Sequence, residues 1–179
     1  MSFLNQNLDF SQLSPDVQLA FSGMAGNKIL LPFGTSLFRF SGHSNISPWW
    51  SEIAQLPQLL LSAKASGQRL FQYIRNHSAV LRKWDPDMQH LIIASLNQPV
   101  YAFSGGISPQ NEAAAYMNAQ LKTYKRKFTK PVFFGGGNGQ VYIKDLDHSY
   151  INIIVPAGTI NIYDNVDEIL DFLIDYKII

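Results

Sequence analysis

Cysteine is absent from this chain of 179 residues, so no disulfide framework, thiol nucleophile or thiolate metal site is available to it. Charge is also scarce. Charged residues make up 15% of the chain and the formal net charge is +1, which gives no global drive toward nucleic acid or a membrane surface. No uncharged apolar run approaches the roughly 18–20 residues of a membrane span. Residues 1–10 are mostly polar and carry no basic stretch ahead of an apolar core, so no cleaved leader is expected. Repeats and low-complexity tracts are missing too. What is present is apolar: 46% hydrophobic and 13% aromatic residues, enough for one domain over residues 1–179 with a real core.

Standard catalytic signatures are also lacking. The four histidines, His43, His77, His90 and His148, fall at no metal-ligand spacing. Ser104 in AFSGG lacks the first glycine of a nucleophile elbow. Gly135–Gly139 holds four glycines in five residues, but a strand pattern follows it rather than a lysine and a helix. Zinc, P-loop and Rossmann chemistry are therefore disfavoured.

The organising stretch is Pro131–Tyr163. Val132–Phe134 reads as a short apolar strand, Gln140–Lys144 alternates polar with apolar, and Ile151–Val155 and Thr159–Tyr163 are β-branched runs around Pro156-Ala157-Gly158. All four are expected in one sheet region beside Val100–Ser104. Glycine permits positive φ and close approach of a backbone or ligand, so the Gly135–Gly139 loop is expected at the rim of the main pocket.

Earlier in the chain, Ser14-Pro15 predicts a helix start, with the helix running over Pro15–Met24. Ser36–Ser41, SLFRFS, is a strand by alternation, with Leu37 and Arg39 on one face and Phe38 and Phe40 on the other. Ser47-Pro48 predicts a helix with Trp49 and Trp50 in its first turn. Helical spacing covers Gln58–Ala65 and Gly67–Lys83, stopped by Trp84-Asp85-Pro86-Asp87. His90–Ser95 and Val100–Ser104 read as strands. Ser108-Pro109 predicts a helix over Pro109–Tyr124 that runs into the basic stretch Lys122–Lys130. Asn165–Tyr176 closes the chain as an amphipathic helix. The fold expected is α+β: a helical N-terminal half on a mixed or antiparallel sheet built mainly from the C-terminal half.

Three segments, LFRFSG, YAFSG and GQVYI followed by VPAGTINIY, resemble those of bacterial mono-ADP-ribosyltransferase toxins. The resemblance implies that fold, NAD as co-substrate, and an effector acting on a macromolecular target, protein or nucleic acid. It makes Arg39 the arginine that holds the NAD phosphates, Ser104 the supporting hydroxyl, and Gln140 the residue standing where the family has a catalytic acid. Trp50, Tyr101 and Gly137 complete the cofactor site it implies. A cognate immunity protein is an expected partner, and the site of action is the cytoplasm or a target cell reached through a secretion system. A glutamine can hydrogen-bond the ribose but carries no charge to stabilise an oxocarbenium-like state. Asp145, Asp147 and Glu112 are the candidate substitutes for the acid.

Each residue also has a plainer reading. Arg39 can be a strand arginine paired with a carboxylate, Ser104 a turn residue, Gln140 a solvent-facing strand residue, and the basic run a solvated helix end. The competing function is a non-enzymatic interaction module, an immunity protein or adaptor, for which an exposed aromatic patch is expected.

Overall fold

The computed structural model describes residues 3–81, 84–113, 132–163 and 165–179. Nine strands are described: β1 Asn27–Leu31, β2 Ser36–Ser41, β3 Trp49–Glu52, β4 His90–Leu96, β5 Val100–Gly106, β6 Gln110–Glu112, β7 Val132–Phe134, β8 Gly139–Tyr142 and β9 Ile151–Asn161. The helices are α1 Pro15–Leu19, α2 Leu56–Ser66, α3 Leu70–His77 and α4 Val166–Asp175. Seven strands form one sheet in the order β1-β5-β8-β3-β2-β4-β9, and β6 and β7 form a separate pair. Every ladder between named strands is antiparallel.

The period-2 patterns place the core. Leu37 and Ile92 point to one face, with Trp50, Val141 and Ile143. Phe38, Leu91 and Ile93 point to the other, where they meet Leu60 of α2, Ile74 of α3 and Leu173 of α4. Asn165 caps α4 by accepting from the Asp167 amide at 3.0 Å, and Lys64 ties α2 to α4 through Asp167 at 2.6 Å. That bridge is exposed and adds little.

The sheet has a weak seam. β2 pairs with β4 along its whole length, Ser36–Ser41 against His90–Ser95. Its ladder with β3 holds only Leu37↔Glu52 and Phe38↔Ser51. The next pair in register would be Arg39 and Trp50, and there the strands part. β3 goes on instead with β8, Trp49↔Tyr142 and Trp50↔Val141. The sheet is thus two halves, β1-β5-β8-β3 and β2-β4-β9, hinged over two residue pairs.

Several expectations need correction. The N-terminal half is not helical: β1 to β4 all lie before residue 97. Trp49 and Trp50 are strand residues. As neighbours on a strand they face opposite ways, so each ring packs in a separate core, which a helix turn would not allow. Pro15–Met24 shortens to α1, and Gly67–Lys83 shortens to α3. Ser108-Pro109 leads into β6 rather than a helix: pairing of Gln110↔Phe134 and Glu112↔Val132 overrides a local signal that turns share with helix starts. The rest of the expected Pro109–Tyr124 helix, from residue 114 on, and the basic run Lys122–Lys130 lie outside the described residues.

The late strands do not share one region. β8 sits beside β5, β9 is at the far edge beside β4, and among the described residues β7 pairs with β6 alone. Pro156 does not break β9, because β9 is an edge strand with irregular register against β4 and tolerates a missing N–H. The mainly antiparallel sheet and the α+β class agree with expectation. No helix among the described residues is long and apolar enough to cross a membrane.

Candidate functional site

Where the two half-sheets part, a cleft of about 930 Å³ opens. β2, β3, the loop of residues 42–48, α2, the segment 78–88 and the glycine loop all contribute lining residues.

Arg39 lies at the seam. Its guanidinium carbon sits 5.2 Å from the centroid of the Trp50 ring, a cation–π distance. Nη2 donates to the backbone oxygens of Asn45 and, at 3.4 Å, His43. Nε is buried with no hydrogen-bond partner. Among the described residues Arg39 forms no ion pair with a carboxylate, though Asp85 is near enough to act on its charge. Burial pulls its pKa down to about 10, against an opposing pull from Asp85. A half-buried cation is incompletely solvated, and an anion entering the cleft offsets part of that deficit.

Trp50 is fixed under this cation because its indole Nε1 donates to the Ser47 oxygen at 2.7 Å. Trp49 leaves by the other face, against Tyr142 and Phe21.

Asp85 is a carboxylate that sequence reasoning passed over as part of a helix stop. It lines the cleft and is 7% exposed. Ser41 Oγ donates to it at 3.0 Å, the Gly42 amide at 2.9 Å and the Met88 amide at 2.8 Å. Burial pushes its pKa up, but these hydrogen bonds and nearby His43 outweigh burial and hold it below the ordinary carboxylate value. A Cβ at Gly42 would stand 2.8 Å from the Asp85 carboxylate, which explains a glycine there. A depressed folded pKa adds stability that is present above the unfolded value and lost as pH falls through the folded one. Asp85→Asn is therefore expected to lower the melting temperature at pH 7 by several degrees. The deficit against the parent should shrink below about pH 4. Thermal melts of both proteins across pH 3–7 check this; a deficit independent of pH would contradict it.

Arg75 locks the same segment from beneath. It is 1% exposed and donates to the backbone oxygens of Val80 at 2.9 Å, Asp85 at 3.0 Å and Pro86 at 3.0 Å. Its guanidinium lies 5.0 Å from the Phe71 ring centroid.

Gln140 reaches the cleft from β8 and is buried, not solvent-facing. Its Nε2 donates to the Ala20 oxygen at 2.8 Å and lies 3.5 Å from the Gly106 oxygen. Both neighbours are carbonyls and only accept, so the amide orientation is dictated. The side-chain oxygen is left to accept from something else. Gln140→Glu is expected to lower the melting temperature by several degrees, because a carboxylate would face the Ala20 carbonyl with no donor between them, costing about 1–3 kcal/mol. A variant that melts with the parent at pH 7 would contradict the assignment.

The glycine loop is at the cleft, as its composition implies. Gly135 donates to Asn76 Oδ1 at 2.9 Å, Gly136 to the Asn76 oxygen at 2.9 Å, and Gly137 to the Ile107 oxygen at 3.1 Å. Gly136 has φ 65° and a Cβ there would lie 2.6 Å from the Ile107 oxygen. Gly137 has φ 99°, nothing lies within 4 Å of where its Cβ would be, and it lines the cleft.

Arg39, Trp50, Gly137 and Gln140 thus converge. Ser104 and Tyr101 do not. Ser104 is held in the β5 ladder between Asn27 and Val141 and does not line the cleft. Tyr101 lies under the Lys28 ammonium at 5.2 Å and beside Phe3. Of the proposed substitute acids, Asp145 and Asp147 are exposed and Glu112 is buried in β6; none lines the cleft. The lining carboxylates among the described residues are Asp16 and Asp85.

No family model and no curated protein matches the chain. Among solved structures, Tne2 in complex with Tni2 is similar over 75% of this chain and 91% of that one, at 14% identity and a TM-score of 0.40. Rhs1-CT in complex with its cognate immunity protein RhsI1 is similar over 74% of this chain and 82% of that one, at 15% identity and a TM-score of 0.45. Scores below 0.5 are too low to fix a fold family or an activity.

Proposed function

We propose that the chain binds NAD in this cleft and transfers its ADP-ribose group to a macromolecular acceptor, as a toxin or effector. The observation that carries the reading is the meeting of Arg39 and Gln140 in one cleft where the sheet parts. The half-buried Arg39 guanidinium, held over Trp50, supplies charge-assisted donors for a pyrophosphate. The Gln140 oxygen is the acceptor for a ribose hydroxyl. In the transfer, the bond from the ribose C1′ to the nicotinamide nitrogen breaks and its electron pair leaves with neutral nicotinamide. An O–H or N–H of the acceptor forms the new bond to C1′ and gives up its proton. Asp16, exposed on α1 at the cleft, is the carboxylate placed to take that proton. Asp85 is committed to its three donors.

A second reading is favoured by the neutral Gln140 and by Trp84, Phe133 and Tyr163, each more than half exposed. On this reading the chain is an interaction module, an immunity protein or adaptor, with no chemistry of its own. Incubation with millimolar NAD, with and without cell lysate, separates the two. Release of nicotinamide, or transfer of label to a lysate component, is expected for the enzyme. Neither binding nor cleavage leaves the interaction module standing.

A further inference from the structure

The cleft is chemically uneven. Among its described lining residues Arg39 is the one lysine or arginine, whereas the lining around β8 carries amides: Gln55, Asn138 and Gln140. These three meet at Gly139. Asn138 and Gln140 are its neighbours in the chain, and Gln55 reaches it through space. A Cβ at Gly139 would stand 2.7 Å from Gln55 Oε1 and 2.8 Å from Gln55 Nε2. The Gln55 amide therefore lies against the bare Cα of Gly139, and a larger residue there would displace it. The backbone beneath is held on both sides: the Gly139 oxygen accepts from Ser51 Oγ at 2.9 Å, and the Asn138 oxygen from the Ile107 amide at 2.8 Å.

The Gln55 amide is placed but not spent. It is half-buried at the cleft and has no hydrogen-bond partner among the described residues. Gln58, one turn on, gives its Nε2 to Ser62 at 3.0 Å, and Gln140 gives its own to Ala20. A free primary amide offers a donor and an acceptor side by side. Its full complement is a second primary amide, in which each C=O takes an N–H from the other. A carboxylate offers acceptors only, so it would meet the Gln55 N–H but set a negative oxygen against the Gln55 oxygen.

The strand order sets the distance to the cation. β2 and β8 both flank β3, so Arg39 and Gly139 stand two strand spacings apart, on the order of 10 Å. A pyrophosphate joined through a ribose to a ring that bears a carboxamide covers a span of that order.

Resting on the NAD reading above, we infer that Gln55 selects the carboxamide of the nicotinamide ring through a reciprocal pair of amide hydrogen bonds. The cleft accordingly discriminates against the dinucleotide whose ring carries a carboxylate in place of the carboxamide. ADP-ribose, which has no such ring, binds without using Gln55.

Calorimetric titration of the full chain with NAD, nicotinic acid adenine dinucleotide and ADP-ribose tests this, using the parent, Gln55→Ala, Gln55→Lys and Arg39→Lys. The parent is expected to bind NAD about tenfold more tightly than the acid form. Gln55→Ala is expected to weaken NAD about tenfold, bring the two dinucleotides to near-equal affinity and leave ADP-ribose unchanged. Gln55→Lys, whose ammonium only donates, is expected to invert the preference toward the carboxylate, a result that a damaged fold cannot produce. Arg39→Lys is expected to weaken all three ligands and keep the preference. A parent that binds NAD and the acid form equally, or a Gln55→Ala that keeps the preference, overturns the inference and leaves the NAD reading intact. An ADP-ribose loss equal to the NAD loss in Gln55→Ala also overturns it, since Gln55 would then be supporting the cleft and not the ring. A parent that binds neither NAD nor ADP-ribose overturns both.

Discussion

Arg39→Lys is expected to weaken NAD binding by tenfold or more while shifting the melting temperature by only a few degrees. Arginine has a planar fork of donors that matches two phosphate oxygens at once; the lysine ammonium is a point charge. Two of those donors' duties are visible. Nη2 holds the backbone of the 42–48 loop through His43 and Asn45, and Nε is buried without a partner. Lysine can keep part of the first duty but has no atom for the second. Hydrogen bonds to charged groups contribute about 1.5–3 kcal/mol each, and about 1.4 kcal/mol is a factor of ten in affinity. The stability change is smaller, because lysine keeps the charge and most of the stem over Trp50, and removing a poorly solvated Nε offsets part of the loss. Titration calorimetry with NAD and thermal melts of both proteins check the pair of expectations. A variant that binds NAD like the parent, or a parent that does not bind it at all, ends the case for Arg39 as the phosphate clamp.

Arg75→Ala should have the opposite profile, a large loss of stability. Three backbone carbonyls of residues 80–86 turn toward this guanidinium, and the side chain fills a fully buried space against Phe71. Alanine leaves those carbonyls facing a cavity. Breaking a buried charged network typically costs about 3–5 kcal/mol. At about 2–4 °C per kcal/mol for a chain of this size, the melting temperature should fall on the order of 10 °C. Arg75→Lys can satisfy one or two of the three carbonyls and should lie between. A loss of only a degree or two in Arg75→Ala would mean the segment is held by other contacts.

The two variants together test a division of labour between two arginines in one region. Arg75 stabilises the segment that carries Trp84 and Asp85. Asp85 in turn holds Ser41 and Gly42, at the end of the strand that presents Arg39. A loss of Arg75 therefore also degrades binding, but only with a large loss of stability; Arg39→Lys does so with a small one.

What the sequence determined was local and periodic. SLFRFS became β2 over the residues expected, with Arg39 on the Leu37 face, because alternation of large side chains leaves a strand only one way to bury both of its faces. The C-terminal helix was legible from its apolar spacing. The glycine loop, with its two positive-φ residues at Gly136 and Gly137, was legible because few other residues adopt that backbone. The tertiary structure decided the rest. Trp49-Trp50 and Ser108-Pro109 carried helix-like local signals, yet the first pair lies in β3 and the second leads into β6, because a neighbouring strand offered pairing. The cleft itself was illegible. It exists because the β2–β3 ladder ends after two pairs, and the end of a ladder depends on what each strand pairs with on its other side. Ser104 and Tyr101 looked equivalent to Gln140 in the sequence, yet pairing and packing face them elsewhere. Trp84 and Asp85 gave only the signal of a helix stop. Their position at the cleft depends on Arg75, Ser41 and Gly42, contacts 10 to 44 residues away along the chain, which no local pattern encodes.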